Sequence, residues 1–212
     1  MIAYKGFSKE LSSVMGNGQK ETCQFVPGET KKVEESKTAR SGFHCCENPF
    51  ECLGYYPLDY ENRYFQVEAA GSIDEDAGEK IACTELTLIR ELTIKEFVGY
   101  GMAYMLQHPM RNGWEQNRLH LQVKKDAAVA NEEGDIAIAR GTKPIVRAEK
   151  EGNILGLIVE KSQGWIDSAK LFVVGKEQIG KWYTLKDGIL QEVDYEKEGN
   201  RSVATKETTE KR

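Results

Sequence analysis

The pattern of hydrophobic and polar positions gives the first half of the chain both a helix and a strand. Between residues 94 and 107 apolar side chains recur at steps of three and four, which predicts an amphipathic helix. Thr93 and Glu96 have the spacing of a capping box at its start. Residues 63–70 alternate apolar and polar side chains, which predicts a half-buried strand that ends at Gly71.

A second helix is predicted in the same half. Asn48 followed by Pro49 is a helix-start signal, because asparagine caps the free amides of the first turn and proline suits the first helical position. We expect this helix to run from Pro49 to about Tyr56 and to stop at Pro57. Residues 1–110 are thus predicted to form a mixed half with two helices.

The pattern changes in residues 118–193, where short apolar runs alternate with turn sequences. The central residues of these runs are regularly spaced, at Val129, Ile138, Val146 and Leu155. Such spacing is typical of a meander or of a short solenoid-like stack. We expect this β-rich half to pack on the first, which makes the predicted fold class α+β. Residues 194–212 have almost no apolar content and are predicted to be a disordered tail.

Composition and charge narrow the class of protein. The chain has 212 residues, of which 40% are hydrophobic and 30% are charged, as in ordinary globular proteins. Its net charge of -5 argues against a dedicated nucleic-acid binder, since phosphate contacts need clustered lysine and arginine. No apolar run approaches the roughly 20 residues that cross a bilayer, and the N-terminus lacks a signal-peptide core. We therefore expect a cytoplasmic protein without membrane contacts.

Candidate chemistry is concentrated in residues 41–56, SGFHCCENPFECLGYY, which hold one of the three histidines and three of the five cysteines. A zinc site would need two close ligand pairs, and that spacing is missing, so we expect reduced cysteines and no metal. His44 is the side chain here that titrates near neutral pH. We predict a binding surface on this segment and the following strand, with six contact residues: Phe43, His44, Asn48, Tyr55, Tyr56 and Arg63.

Several sequence blocks together resemble a known kind of protein. They are YKGF, SGFHCCENPFECLGYYP and RYFQVEAAG in the first half, and GDIAIARG, NILGLIVE, AKLFVVG and WYTL in the second. This set resembles an uncharacterised family found in bacteriophages and integrated mobile elements, and the Gly-Phe-His-x-Cys-Glu-Asn-Pro block is its most specific part. The resemblance implies a phage-type context and carries no activity with it.

The function favoured by these observations is a non-enzymatic accessory protein that binds a host protein and antagonises a host defence system. The chain has no P-loop, no Rossmann glycine pattern and no His-Glu-x-x-His motif. Its mixed-charge composition and its cluster of tyrosines between residues 55 and 64 suit protein recognition. On this interpretation the protein needs no cofactor.

Two alternatives remain open. The chain is similar in layout to ADP-ribosyltransferases, which place a basic residue on a short strand, a Gly/Ser/His segment before a helix, and a glutamate on a later strand. That likeness implies NAD as cofactor and a catalytic set of Lys5, His44 and either Glu68 or Glu85. The third function is a nucleic-acid-contacting inhibitor, suggested by basic residues of the second half that are interleaved with acidic ones. They are Arg111, Arg118, Lys124, Lys125, Arg140, Lys143 and Arg147.

Overall fold

The computed structural model describes residues 1–15, 22–76 and 80–195. Its contacts divide the chain into two compact units, Met1–His108 and Pro109–Arg212. No helix in the described part of the chain has the length and apolar content needed to cross a membrane. Of the predicted tail, residues 196–212 lie outside the described residues.

The first unit is built mainly from strands. Its described residues contain seven strands, one α-helix and one 3-10 helix. In chain order they are β1 (Ile2–Phe7), β2 (Ser12–Val14), β3 (Thr22–Gln24), β4 (Thr30–Lys32), β5 (Phe43–Cys45), the 3-10 helix (Pro49–Gly54), β6 (Arg63–Asp76), β7 (Lys80–Leu92) and α1 (Ile94–Gln107).

The main sheet of this unit curls until its two edges meet. The long strands β6 and β7 form an antiparallel pair at its centre, β1 pairs with β6, and β4 and β5 both pair with β7. Tyr4 of β1 and Cys46, which directly follows β5, exchange two backbone hydrogen bonds of 2.8 Å. These two bonds join the outer strands β1 and β5, so both ends of the chain segment 4–46 are fixed at one place.

Strand β6 does not end at Gly71, and that prediction is wrong. The strand continues to Asp76, with a register shift against β7 between Ala70 and Ile73. Gly71 has a φ of +74°, and a Cβ there would lie 2.1 Å from the Thr84 hydroxyl oxygen of β7. Glycine is therefore needed for a bulge inside the strand, not for a turn after it.

The sheet has two buried faces. The concave face holds a core of aromatic and aliphatic side chains, in which Phe7 packs edge-on against Phe65 at 5.6 Å between ring centroids. The other face is covered by α1 and the 3-10 helix. There the Phe97 ring packs against Tyr64 at 4.3 Å and against Phe50 at 6.1 Å. The 3-10 helix thus lies between α1 and the start of the sheet.

The predicted α+β class is wrong, because the first half does not contain two α-helices. Helix α1 is confirmed together with its Thr93 capping box. The second predicted helix is a six-residue 3-10 helix that ends at Gly54. Asn48 caps it as expected, through a 3.1 Å bond from the Phe50 amide. The Tyr64 hydroxyl then donates to the carbonyls of Tyr56 and Pro57, which directs the chain away from a helical path.

In its described residues, 109–195, the second unit is one seven-stranded sheet with a short 3-10 helix at Lys176–Gln178. Its strands in chain order are β8 (Gln116–Arg118), β9 (Leu121–Ala130), β10 (Ile136–Ala148), β11 (Ile154–Ser162), β12 (Trp165–Val173), β13 (Trp182–Lys186) and β14 (Ile189–Val193). The prediction that this half is rich in β-structure is confirmed.

The strands β9, β10 and β11 stack in parallel, which is the solenoid-like one of the two predicted arrangements. Ile136 of β10 pairs with Leu121 of β9 on one side and with Ile154 of β11 on the other, so one coil takes 15 residues and the next 18. The predicted spacing of eight to nine residues is therefore half a coil. Strands β12 and β13 end the stack, because they pair antiparallel to β11 and β10.

Candidate binding recess

A recess of about 520 Å³ opens in the first unit and is called the Lys5 recess below. Its walls come from β1, from the turn before β5, from Cys45 and Cys46, from the end of the 3-10 helix and from the first residue of β7. The volume lies in the range of small-ligand pockets. The side chains of chief chemical interest in its lining are Tyr4, Lys5, His44, Tyr55, Tyr56 and Lys80.

Lys5 is the most unusual of these side chains, because it is only 6% exposed. It lies on β1 between Ala3 and Phe7, and alternation along the strand points all three side chains into the core. Its Nζ donates a 2.7 Å hydrogen bond to the carbonyl oxygen of His44. Burial lowers the pKa of the Lys5 amine, since a charged ammonium is poorly solvated there.

His44 is held in place by the turn that precedes β5. Its Nε2 accepts a 3.1 Å hydrogen bond from the backbone amide of Ala39, so this nitrogen carries no proton in the structure. Ala39 and Gly42 both have a positive φ, of 60° and 85°. A Cβ on Gly42 would lie 2.9 Å from the Cys83 carbonyl oxygen, so glycine lets β5 approach β7 closely.

Four buried thiols lie in two hydrogen-bonded pairs beside Lys5, Cys45 with Cys83 and Cys46 with Cys52. The hydrogen bond from Cys52 lowers the pKa of the Cys46 thiol. The same bond raises the pKa of Cys52, which acts as the donor. Cys46 is therefore the more nucleophilic thiol of the pair that lines the recess.

The rim of the recess is aromatic and positively charged. Tyr55 is 59% exposed, and the Lys80 ammonium lies 4.3 Å from the centroid of its ring, a cation–π contact. Tyr56 packs directly on Gly6, where a Cβ would come within 2.6 Å of the tyrosine Cβ. The missing side chain at Gly6 thus makes room for Tyr56 beside β1.

Three of the six predicted binding residues border this recess: His44, Tyr55 and Tyr56. Phe43 is 2% exposed and packs in the core, and Asn48 is buried as the cap of the 3-10 helix. Arg63 forms a two-point ion pair with Glu91 at 2.6 and 2.7 Å. These three residues support the surrounding structure and do not line the recess.

The residues proposed for an ADP-ribosyltransferase are only partly brought together. Lys5 and His44 are in contact, but neither candidate glutamate lines the recess. Glu68 is exposed on β6, and Glu85 on β7 pairs with Lys32 at 3.0 Å. The carboxylate that such an enzyme needs is therefore not supplied to the Lys5 recess by either residue.

The sequence did not indicate Lys80 or Tyr4 as site residues. Lys80 is the first residue of β7, and its partner Tyr55 lies 25 positions earlier in the chain. Tyr4 reaches the recess because its backbone pairs with Cys46. No local pattern marks such residues, since only the pairing of distant strands brings them together.

The basic residues of the second unit differ in their surroundings. Arg140 is 2% exposed and bonds to Glu160 at 2.5 and 2.8 Å, and Arg147 pairs with Glu149 at 2.7 Å. These two arginines are neutralised within the protein, so they add little to a stripe for phosphate groups.

All five cysteines are free thiols in the structure. Within residues 1–15, 22–76 and 80–195, no three or more His, Cys, Asp or Glu side chains are grouped to hold a metal ion. No curated protein and no solved structure matches the chain. A family match covers its first part: residues 1–99 fit a domain of unknown function, DUF7666, so this portion of the chain resembles an uncharacterised family.

Proposed function

We propose that the protein acts by binding a partner protein, and that the Lys5 recess and its tyrosine rim form the recognition site. The observation that carries this proposal is Tyr55, a largely exposed aromatic ring held by Lys80 at the edge of a recess. Tyrosine supplies a large contact area at a low cost in side-chain entropy and is enriched at binding hot spots. A ring already fixed by a cation–π contact loses even less freedom on binding.

The partner that we propose is a protein of a bacterial host. The resemblance of the N-terminal blocks to phage and mobile-element proteins supports this choice. On this proposal the protein is an accessory factor that works in the host cytoplasm and antagonises a defence system. Lys80 at the rim favours an acidic or carbonyl-rich segment of the partner, because it can form charge-assisted hydrogen bonds to such groups.

The test compares three purified proteins as bait in a host lysate: wild type, Tyr55→Ala and Tyr60→Ala. Tyr60 is the matched control, since it is 54% exposed and does not line the recess. We expect a partner that wild type and Tyr60→Ala retain equally and that Tyr55→Ala binds about 30-fold more weakly, the effect of losing a 2 kcal/mol hot spot. Equal capture by all three folded baits would exclude the rim from recognition.

A second candidate function, an ADP-ribosyltransferase-like enzyme, is supported by the position of Lys5 and His44 in the lining of one recess. The assay is release of nicotinamide from NAD by the purified protein. Turnover that is lost in His44→Ala and in either Glu68→Gln or Glu85→Gln would support this function. Absence of turnover by the folded wild type with a panel of acceptor proteins would contradict it.

A further inference from the structure

Burial of Lys5 costs free energy of folding, and this cost points to a function for its amine. A lysine on the core face of a strand loses the hydration of its ammonium group, and this loss is repaid only by paired charges or several hydrogen bonds. Among the described residues, Lys5 has one hydrogen bond, to His44 O, and a contact of 5.3 Å with the Phe7 ring. In the part of the chain that the structure describes, no carboxylate forms an ion pair with it.

Burial favours the neutral form of the Lys5 amine and outweighs the opposing effect of the thiols around it. The titratable groups closest to the amine are five thiols of the first unit. They are Cys23 of β3, Cys45 of β5, Cys46 before the 3-10 helix, Cys52 within it, and Cys83 of β7. Thiols are mostly uncharged near neutral pH and do not balance an ammonium as carboxylates do. A neutral amine donates one N–H to His44 O and keeps a free lone pair, which is the state in which lysine is nucleophilic.

The recess brings this amine within reach of a small molecule. Lys5 lines a cavity of about 520 Å³ whose other walls include the rings of Tyr4, Tyr55 and Tyr56. A space of this size with aromatic walls suits a planar ring compound. The hydrogen bond to His44 O fixes the nitrogen at one place in the wall, so the reacting atom is positioned before the ligand enters.

We propose that Lys5 is a covalent carbonyl-binding site, at which its amine condenses with an aromatic aldehyde that enters the recess. The Lys5 nitrogen attacks the carbonyl carbon and forms a C–N bond. The carbonyl oxygen then leaves as water, with the two hydrogens of the amine, and an imine remains. No oxidant or reductant takes part, and water reverses the reaction. The recess is also the proposed recognition site for a partner protein, but the condensation itself needs no partner.

The experiment uses the full-length protein and salicylaldehyde as the probe. Cyanoborohydride reduces the imines that form to stable secondary amines and leaves thiol adducts unreduced, so the nearby cysteines do not interfere. Peptide mapping then gives the labelling rate of each lysine. We expect Lys5 to react faster than the exposed Lys9, since the neutral fraction of an amine rises as its pKa falls.

Two variants serve as controls. Lys80→Arg removes the other amine of the recess but keeps the charge at Tyr55, and we expect fast labelling of Lys5 to persist in it. Lys5→Arg should lose the fast-reacting site and keep the slow labelling of the exposed lysines. The labelling rates of the lysines in the wild-type protein are sufficient to test the proposal, so the test does not depend on whether Lys5→Arg folds.

A structural role for Lys5 predicts a different result. If the amine serves only to tie β1 to β5, it stays unlabelled in the folded protein while Lys9 reacts, or it reacts only after denaturation. Either outcome would overturn the proposal. Neither outcome bears on the capture experiment with Tyr55→Ala, because no partner protein is present in the labelling reaction.

Discussion

Replacement of Gly101 by alanine should destabilise the first unit, although alanine is the better helix former. Gly101 lies in α1 and faces the 3-10 helix that forms one wall of the Lys5 recess. A Cβ at this position would lie 2.3 Å from both Cε1 and Cζ of Phe50. The Phe50 ring is 1% exposed and packs against Phe97, so it has no free space to move into.

Two opposing effects determine how much Gly101→Ala changes the free energy of unfolding. Alanine in place of glycine within a helix gains about 1 kcal/mol of stability. Overpacking of an enclosed core costs about 1–3 kcal/mol, and we expect the upper end of that range because three ring atoms of Phe50 would be overlapped. The net loss is then about 2 kcal/mol, which corresponds to a fall in melting temperature of about 10 °C for a unit of this size.

The two units can be followed separately in this assay. All three tryptophans, Trp114, Trp165 and Trp182, belong to the second unit, so tryptophan fluorescence is an internal reference. Unfolding of the first unit is measured by near-ultraviolet circular dichroism of its tyrosines. In a Phe50→Leu background the clash is relieved, and Gly101→Ala should there be stabilising. A Gly101→Ala protein that is as stable as wild type, with Phe50 intact, would show that the added methyl group does not clash with the Phe50 ring.

Three further predictions concern other parts of the molecule. Thr93→Ala removes the cap of α1 and should cost about 1 kcal/mol in the unfolding of the first unit, with Thr93→Ser as the control that keeps the cap. Hydrogen bonds from Thr38 lower the pKa of Asp74 to about 2. The contribution of Asp74 to stability is therefore present above the unfolded pKa of 3.8 and is lost as the pH falls toward 2. The difference in melting temperature between wild type and Asp74→Asn should shrink over that window and stay constant above it. Glu160→Ala leaves the buried Arg140 without its carboxylate and should cost about 3–5 kcal/mol in the tryptophan-monitored transition, whereas a loss below that of an ordinary surface substitution would contradict the pairing.

The sequence predicted those elements whose determinants are local. The capping box and the apolar stripe that define α1 lie within residues 93–107, and both are present in the structure. The regular spacing of apolar runs in the second unit also reports a local repeat, half a coil of the parallel stack. The repeat period did not decide between a meander and a stack, because both arrangements bury one residue in the middle of each run.

The errors came from contacts between distant residues. The helix after Asn48 is short because the Tyr64 hydroxyl, on the next strand, forms hydrogen bonds with the carbonyl oxygens of Tyr56 and Pro57. Gly71 is a bulge because Thr84 lies directly above it on β7. Neither contact can be read from a local pattern, and the first of them removes the second predicted α-helix from the fold.

The candidate site was predictable only where its residues lie close together in the sequence. His44, Tyr55 and Tyr56 are close in sequence, and their segment was identified from its composition. Lys5 was considered only through a resemblance, and its burial follows from the pairing of Tyr4 with Cys46, which joins the two edges of the sheet. Lys80 comes to the rim through the β6–β7 pairing.

The recess contains a buried lysine whose pKa is lowered, and titration of Lys5 tests this directly. Nuclear magnetic resonance of protein with ¹³C-labelled lysine resolves the Cε signal of each residue, and Lys5→Arg identifies the signal of Lys5. We predict that Lys5 titrates at a lower pH than every exposed lysine, because burial lowers its pKa from the usual 10.5. A Lys5 amine that titrates at or above the usual 10.5 would show that its burial does not lower its pKa.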